Sequence, residues 1–182
     1  MSIFFTADTH FGHDSIRHHC FRPFDSTHEM NVAMTRNWNS IVSGKDEVYI
    51  LGDFAWKNHT RYLQALNGHK ILIIGSHDHM KQLSLKDFSD VVGSNHRPGI
   101  LEKKIDDQYV VMSHYAMESW PRSHYNSWHL HGHSHGRLRS NPHYLRLDVG
   151  VDNWSFYPVA WETVSALMQK QEELRKETEW LS

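Results

Sequence analysis

Four imidazoles, His129, His131, His133 and His135, stand at every second position of the run His129-Leu130-His131-Gly132-His133-Ser134-His135. On a strand, alternate side chains share one face, so this spacing lines the rings up like a comb. Neutral imidazole is the commonest protein ligand for metal ions, and a strand running into a Gly-containing loop can aim two rings at one ion. Metal binding is therefore the first chemistry to consider. The 182-residue chain carries 17 histidines against 19 lysines and arginines together, spread along its length rather than grouped at a terminus. The question is which of them converge.

The elements that must position them can be read in order. Ile3 to Ala7 is a short apolar run that delivers Asp8-Thr9-His10-Phe11-Gly12-His13 at its C-terminal end, the pattern of a buried strand with a polar tip. Ser26 and Glu29 have capping-box spacing, and Met30, Ala33, Met34, Trp38 and Ile41 recur at helical intervals up to Gly44. Glu47 to Leu51 is a second strand, running into Gly52-Asp53. A short helix over Arg61 to Leu66 closes at Asn67-Gly68, and a third strand, Lys70 to Ile74, runs into Gly75-Ser76-His77-Asp78. In α/β sheets ligands bind outside the carboxyl ends of strands, so these three tips are expected to share one crevice.

Beyond Val91 the texture shifts to shorter strands: a hairpin of Ile100 to Ile105 and Tyr109 to Met112 around Asp106-Asp107, ending in Ser113-His114, then strands at Trp128 to His131 and Tyr144 to Val149. The intervening loop, Met117 to Trp128, is aromatic enough to form a rim. Pro158 precedes a C-terminal helix with Trp161, Val164, Leu167, Met168 and Leu174 on its apolar stripe.

Collected in order, the strand-end groups are Asp8 and His10, Asp53, Ser76 and His77, His114, and His133 and His135. This series resembles the calcineurin-like metallophosphoesterases, whose motifs D-x-H, G-D, G-N-H-D or G-N-H-E, a later single His and G-H-x-H each follow a strand. Here they read Asp8-Thr9-His10, Gly52-Asp53, Gly75-Ser76-His77-Asp78, His114 and Gly132-His133-Ser134-His135. The opening motif further resembles small bacterial and phage members.

The resemblance implies an α/β fold, a four-layer α-β-β-α sandwich, over a single domain of residues 1–182. It also implies a dinuclear site that hydrolyses phosphoesters. Asp53 would bridge two divalent ions, with Asp8, His10 and His135 on one and His114 and His133 on the other. His77 would approach the leaving group as a catalytic residue, either a general acid or a stabiliser of developing charge, with Asp78 orienting it. Ser76 stands where the family has Asn, whose amide both ligates the second metal and donates to phosphate. A serine hydroxyl is shorter and cannot make both contacts, so the second metal site is expected to be weaker. The alternative reading is a non-catalytic or weakly active interaction scaffold on the same fold.

Manganese is the first expectation for the metal, with iron, zinc or nickel also suited to His/Asp ligands. Phosphodiesters are preferred, because a small chain without a cap domain leaves room for two substituents on phosphorus. A nucleotide is one such substrate. Arg22 and Arg122 are candidates to clamp a phosphate oxygen, His13 and Asn37 are softer candidates, and Trp120, Tyr125 or Trp128 could stack a base. His129 and His131, outside the family motif, are read as structural or as partners of the ligands. Cys20 is read as a structural thiol.

Bulk properties narrow the remaining choices. A net charge of −2 and pI near 6.8 provide no general field for nucleic acid or an anionic membrane, so any such contact has to be local. The single Cys20 excludes an internal disulfide, and Met1 to Phe5 carries neither a basic flank nor a long apolar run, so no signal peptide or membrane span is expected and the cytoplasm is the default location. A metallo-β-lactamase signature would need Asp where Ser134 stands. A closed structural zinc site would need fewer ligands than converge here.

Overall fold

The computed structural model describes residues 1–79, 87–94, 97–139, 141 and 143–179. The first half of the chain runs β1 (Ile3–Thr6), α1 (Asp14–His19), α2 (Thr27–Ile41), β2 (Glu47–Ile50), α3 (His59–Ala65), β3 (His69–Ile73) and β4 (Asp90–Val92). The second half runs β5 (Ile100–Ile105), β6 (Gln108–Ser113), β7 (Trp128–His131), β8 (Arg146–Asp148), β9 (Val159–Ala160) and α4 (Trp161–Glu179).

Two sheets result. One has the order β4-β3-β2-β1-β9, parallel except for β9, which pairs antiparallel with β1. The other has the order β5-β6-β7-β8, in which the β5–β6 hairpin is antiparallel and β6, β7 and β8 are parallel. Strand β4, at three residues, is too short to show an alternation in sequence, yet it extends the parallel set.

The first sheet is buried on both faces, and its alternation sorts side chains into two cores. Phe5, Tyr49, Ile71 and Ile73 pack with Val110, Met112, Trp128 and Leu130 of the second sheet. Phe4, Val48, Ile50 and Leu72 pack under Ile16 of α1, Met30, Met34 and Trp38 of α2, and Leu63 of α3. The α2 start is the one expected: Ser26 Oγ accepts from Glu29 N at 3.1 Å, while the Glu29 carboxylate accepts from Asp25 N. Its stripe turns slightly, burying Asn37 and leaving Ile41 exposed. Asn37 donates to the carbonyls of Ser155 and Phe156, a fold contact.

Helix α4 packs against β9, β1 and β8, with Trp161 against both Phe5 and Trp128. It buries Trp161, Val164 and Met168, whereas Leu167 and Leu174 are exposed. At about 100° per residue the last two lie more than about 100° around the helix from Trp161. None of the described helices is long and apolar enough to cross a membrane.

Candidate metal centre

The loops that follow β1, β2, β3, β6 and β7 meet at one end of the two sheets. Past the end of β1 the chain stays paired to the loop after β2: Asp8 N donates to Gly52 O at 3.0 Å and His10 N to Asp53 O at 2.9 Å. The loop after β7 is tied across, with Gly132 N donating to His114 O and His133 N to Asp8 Oδ2 at 2.8 Å. The approach is so close that a Cβ on Gly52 would lie 2.5 Å from His114 Nδ1, and one on Gly132 would lie 2.6 Å from Asp8 Oδ2. Asp8, His10, Asp53, His133 and His135 all have left-handed backbone, with φ of +56°, +49°, +55°, +67° and +47°. Non-glycine residues rarely adopt this region, and such strain gathers where side chains must be aimed.

Two donor sets stand side by side. Asp8, His10 and His135 offer ligand atoms all within 4.8 Å of one another, and so do Asp53, His114 and His133. Asp53 joins them: its Oδ2 is 3.6 Å from His10 Nε2 and 3.5 Å from His114 Nε2. Asp8 Oδ1 and His10 Nε2 are buried without any hydrogen-bond partner. Orphaned buried polar atoms are costly, and a carboxylate oxygen beside a bare imidazole nitrogen fits a cation.

Surrounding groups set the ring orientations. His114 Nδ1 donates to Leu51 O at 2.9 Å, which turns the Nε2 lone pair toward Asp53. His135 Nδ1 bonds Asp152 Oδ2 at 2.7 Å, leaving Nε2 to ligate. Asp152 is in turn gripped by Arg22, through Nε at 2.8 Å and Nη2 at 2.9 Å. Asp148 accepts from Ser134 Oγ and Gly136 N and so fixes the loop between His133 and His135. Asp148 and Asp152 lack a readable motif, since their partners lie far away in sequence or on other loops.

Burial leads the electrostatics. It pushes Asp8 well above the usual carboxylate range, opposed by the His135 charge and reinforced by Asp53 and Asp148. It also lowers His10, His114 and His133, which favours the neutral, ligating ring. His135 moves the other way, up to about 10: burial opposes the shift, but the hydrogen bonds of Asp152 and Cys20 outweigh it.

The remaining candidates separate clearly. Ser76 Oγ donates to Asp53 Oδ2 at 3.0 Å and lies 3.4 Å from His114 Nε2, inside the second donor set. His77 is exposed at the rim, its ring 5.7 Å from that of His10, and its backbone N–H donates to Asp53 Oδ1. Asp78 does not hold the His77 ring. Its carboxylate accepts from the backbone N–H groups of Asp53, Phe54 and Gly75, clamping one loop to the other.

Arg22 is no phosphate clamp, because its side chain is fully buried and spent on Asp152 and on the carbonyls of Asp8 and Thr9. Arg122 is also misplaced for that role. It lies over Tyr109 near the start of β6, whereas His114 follows the end of that strand, roughly 15–20 Å away at a strand's rise per residue.

His129 and His131 are buried within the sheet region, with His129 Nδ1 donating to Val111 O and His131 Nδ1 to Gly132 O. Trp120 and Trp128 are buried as well, and Tyr125 flanks Arg122, so none of these aromatics faces the centre. Cys20, read as a plain structural thiol, sits instead beside His135 and Asp152, with ligand atoms within 4.8 Å of one another. One residue the sequence did not mark, Trp56, completes the rim: it stacks on His13 at 4.3 Å and reaches His77 at 5.7 Å.

No family model matches the chain. It is 29% identical to an uncharacterized protein of Methanocaldococcus jannaschii over 95% of this chain and 94% of that one. It is 25% identical to the gene 66 protein of Mycobacterium phage L5 over 84% and 87%. Among solved structures, a protein of unknown function from Aquifex aeolicus superposes with a TM-score of 0.71 at 22% identity, over 91% of this chain and 98% of that one, so the two share a fold. An archaeal phosphodiesterase superposes more loosely, with a TM-score of 0.47 at 19% identity over 82% and 84%.

Proposed function

We propose that this chain is a dinuclear metal-dependent phosphoesterase of the calcineurin-like type, acting on phosphodiesters, with the four-layer sandwich of that family. The observation that carries the reading is Asp53 Oδ2, poised within 3.6 Å of His10 Nε2 and 3.5 Å of His114 Nε2, between two carboxylate–imidazole sets. Asp8, His10 and His135 would hold one ion, His114 and His133 the other, and Asp53 both. Bound there, two divalent ions supply Lewis acidity toward water and toward the phosphoryl oxygens. Manganese is the first candidate, and iron, zinc or nickel suit the same ligands.

The chain's own contribution is orientation and proton transfer. Left-handed backbone and the Leu51, Asp148 and Asp152 contacts fix the ligands before substrate arrives. His77 is exposed at the edge, where it can give a proton to a leaving oxygen. The exposure of Ser76, His77 and His133 keeps the mouth open, which accommodates two substituents on phosphorus.

The scaffold reading draws on one contact, the Ser76 hydroxyl, which donates to the Asp53 oxygen that the second ion would use. Hydrolysis of bis(p-nitrophenyl) phosphate and p-nitrophenyl phosphate with added Mn²⁺ tests the proposal. Faster turnover of the diester is expected, abolished in Asp53→Asn. Bound metal without hydrolysis of either ester would instead support the scaffold.

A further inference from the structure

We infer that Trp56 is a base-stacking platform and that the substrate is a short single-stranded oligonucleotide, its backbone running from His77 along a cleft past Lys57 and Arg61. The inference rests on the phosphodiesterase reading and names the substrate class for that site. Trp56 is 47% exposed, while Trp38, Trp120, Trp128 and Trp161 are buried. Its placement is fixed: Trp56 N donates to Phe11 O at 2.9 Å, and His13 stacks on the indole with planes 13° apart. With His13 on one side and His77 at 5.7 Å, the uncovered part of the indole lies beside the proposed proton donor. A base flanking the scissile phosphate would rest there.

Charge follows the same path. A cleft of about 890 Å³ is lined by Trp56, Lys57, Thr60, Arg61 and Gln64. Lys57 and Arg61 are shared with a second cleft of about 670 Å³ that also holds His28 and Arg36. Among the described residues Lys57, Arg61 and Arg36 have no ion-pair partner, and the one carboxylate on the second cleft, Asp14, is already paired with Arg17. A chain of net charge −2 thus keeps unspent cations on two clefts that share Lys57 and Arg61, the first of them lined by Trp56 itself. An aromatic platform followed by cations is the arrangement that binds a single strand, the ring taking a base and the cations its phosphates. It accounts for nucleic-acid contact without a basic protein overall, since only these clefts are charged.

Two measurements test this. The first compares the p-nitrophenyl ester of thymidine 5′-monophosphate with methyl p-nitrophenyl phosphate, which share a leaving group but differ in the base, using Mn²⁺-loaded full-length protein. Trp56→Ala is expected to reduce the preference for the nucleotide ester about ten-fold, with Trp56→Phe restoring most of it. An unchanged preference would overturn the inference. The second reads binding without turnover: oligothymidylate added to metal-free protein is expected to quench tryptophan fluorescence in the native chain and not in Trp56→Ala. Binding should weaken with salt, with a shallower slope in a Lys57→Gln, Arg61→Gln double variant. Absent quenching, or a slope unaltered in that variant, would overturn the inference. Quenching without hydrolysis of any ester would leave the platform standing and remove the phosphodiesterase reading.

Discussion

At the scale of the residue, Ser76 and Arg22 decide most. The Ser76 hydroxyl spends its proton on Asp53 Oδ2 and lies 3.4 Å from His114 Nε2, so it occupies ligand space while competing for a ligand's lone pair. A longer amide has an oxygen to offer a cation and a separate donor to offer phosphate. If the Asp53, His114 and His133 set holds an ion as proposed, Ser76→Asn is therefore expected to raise Mn²⁺ affinity there, and diester turnover with it, by roughly ten-fold, the usual scale for a change in a metal's surroundings. Metal titration followed by kinetics checks this, and equal values in both proteins would remove the idea. Arg22 differs in kind, because its fully buried guanidinium pairs with Asp152 and braces the Asp8 and Thr9 carbonyls. Removing one partner of a buried pair strands the other charge, so Arg22→Met should cost about 3–5 kcal/mol in urea unfolding. Arg122→Met, over the Tyr109 ring, should cost under about 1 kcal/mol.

At the scale of the element, what could be read in the sequence was what repeats locally. Apolar runs into polar tips marked β1, β2, β3, β6 and β7, and the Ser26 to Glu29 spacing marked the start of α2. The ligand candidates were visible because each sits just beyond such a strand. Their supports were not: Arg22 meets Asp152 from 130 residues away, and no local pattern announces that pairing. Trp56 escaped notice for a related reason, since its surroundings, His13 and His77, come from two other loops.

Strand β7 shows how a legible pattern can carry two meanings. The histidine comb alternates as expected, yet within the strand His129 is fully buried and hydrogen-bonded to Val111 O and Met117 N, while the ligand candidates lie past Gly132. Burial, against the partly compensating Val111 hydrogen bond, lowers His129 to about 4. The unfolded chain takes up this proton near pH 6.5 and the folded one only near the lower value, so stability is complete above about pH 6.5 and lost as pH falls toward about 4. Fully developed, the loss is on the order of 3 kcal/mol. Urea unfolding at intervals across that window should show a smaller pH dependence in His129→Gln; equal slopes would mean that other groups set it.

At the scale of the whole molecule, the two sheets bring their loops together around shared negative charge. Asp8 comes from the first sheet, as does Asp53, while Asp148 comes from the second, and burial with their mutual repulsion raises Asp8 well above its ordinary range. Without a cation, such a carboxylate contributes most to stability when protonated, and that contribution is lost as pH rises through its folded-state value. A metal held by Asp8 and His135 would reverse the balance, because it needs Asp8 ionised and His135 rid of the proton that Asp152 helps retain. A ligand that binds only the folded state at about 100 times its Kd adds about 2.7 kcal/mol, or roughly 5–10 °C in Tm for a chain of this size. Mn²⁺ is therefore expected to raise Tm by that amount, more at about pH 8 than at about pH 6 because protons compete for the same ligands, and chelation should reverse it. Thermal scans of the native chain and Asp53→Asn, with and without Mn²⁺, make the test. A gain that survives Asp53→Asn intact would place the ion elsewhere, because the charged carboxylate joining the two donor sets would then be dispensable.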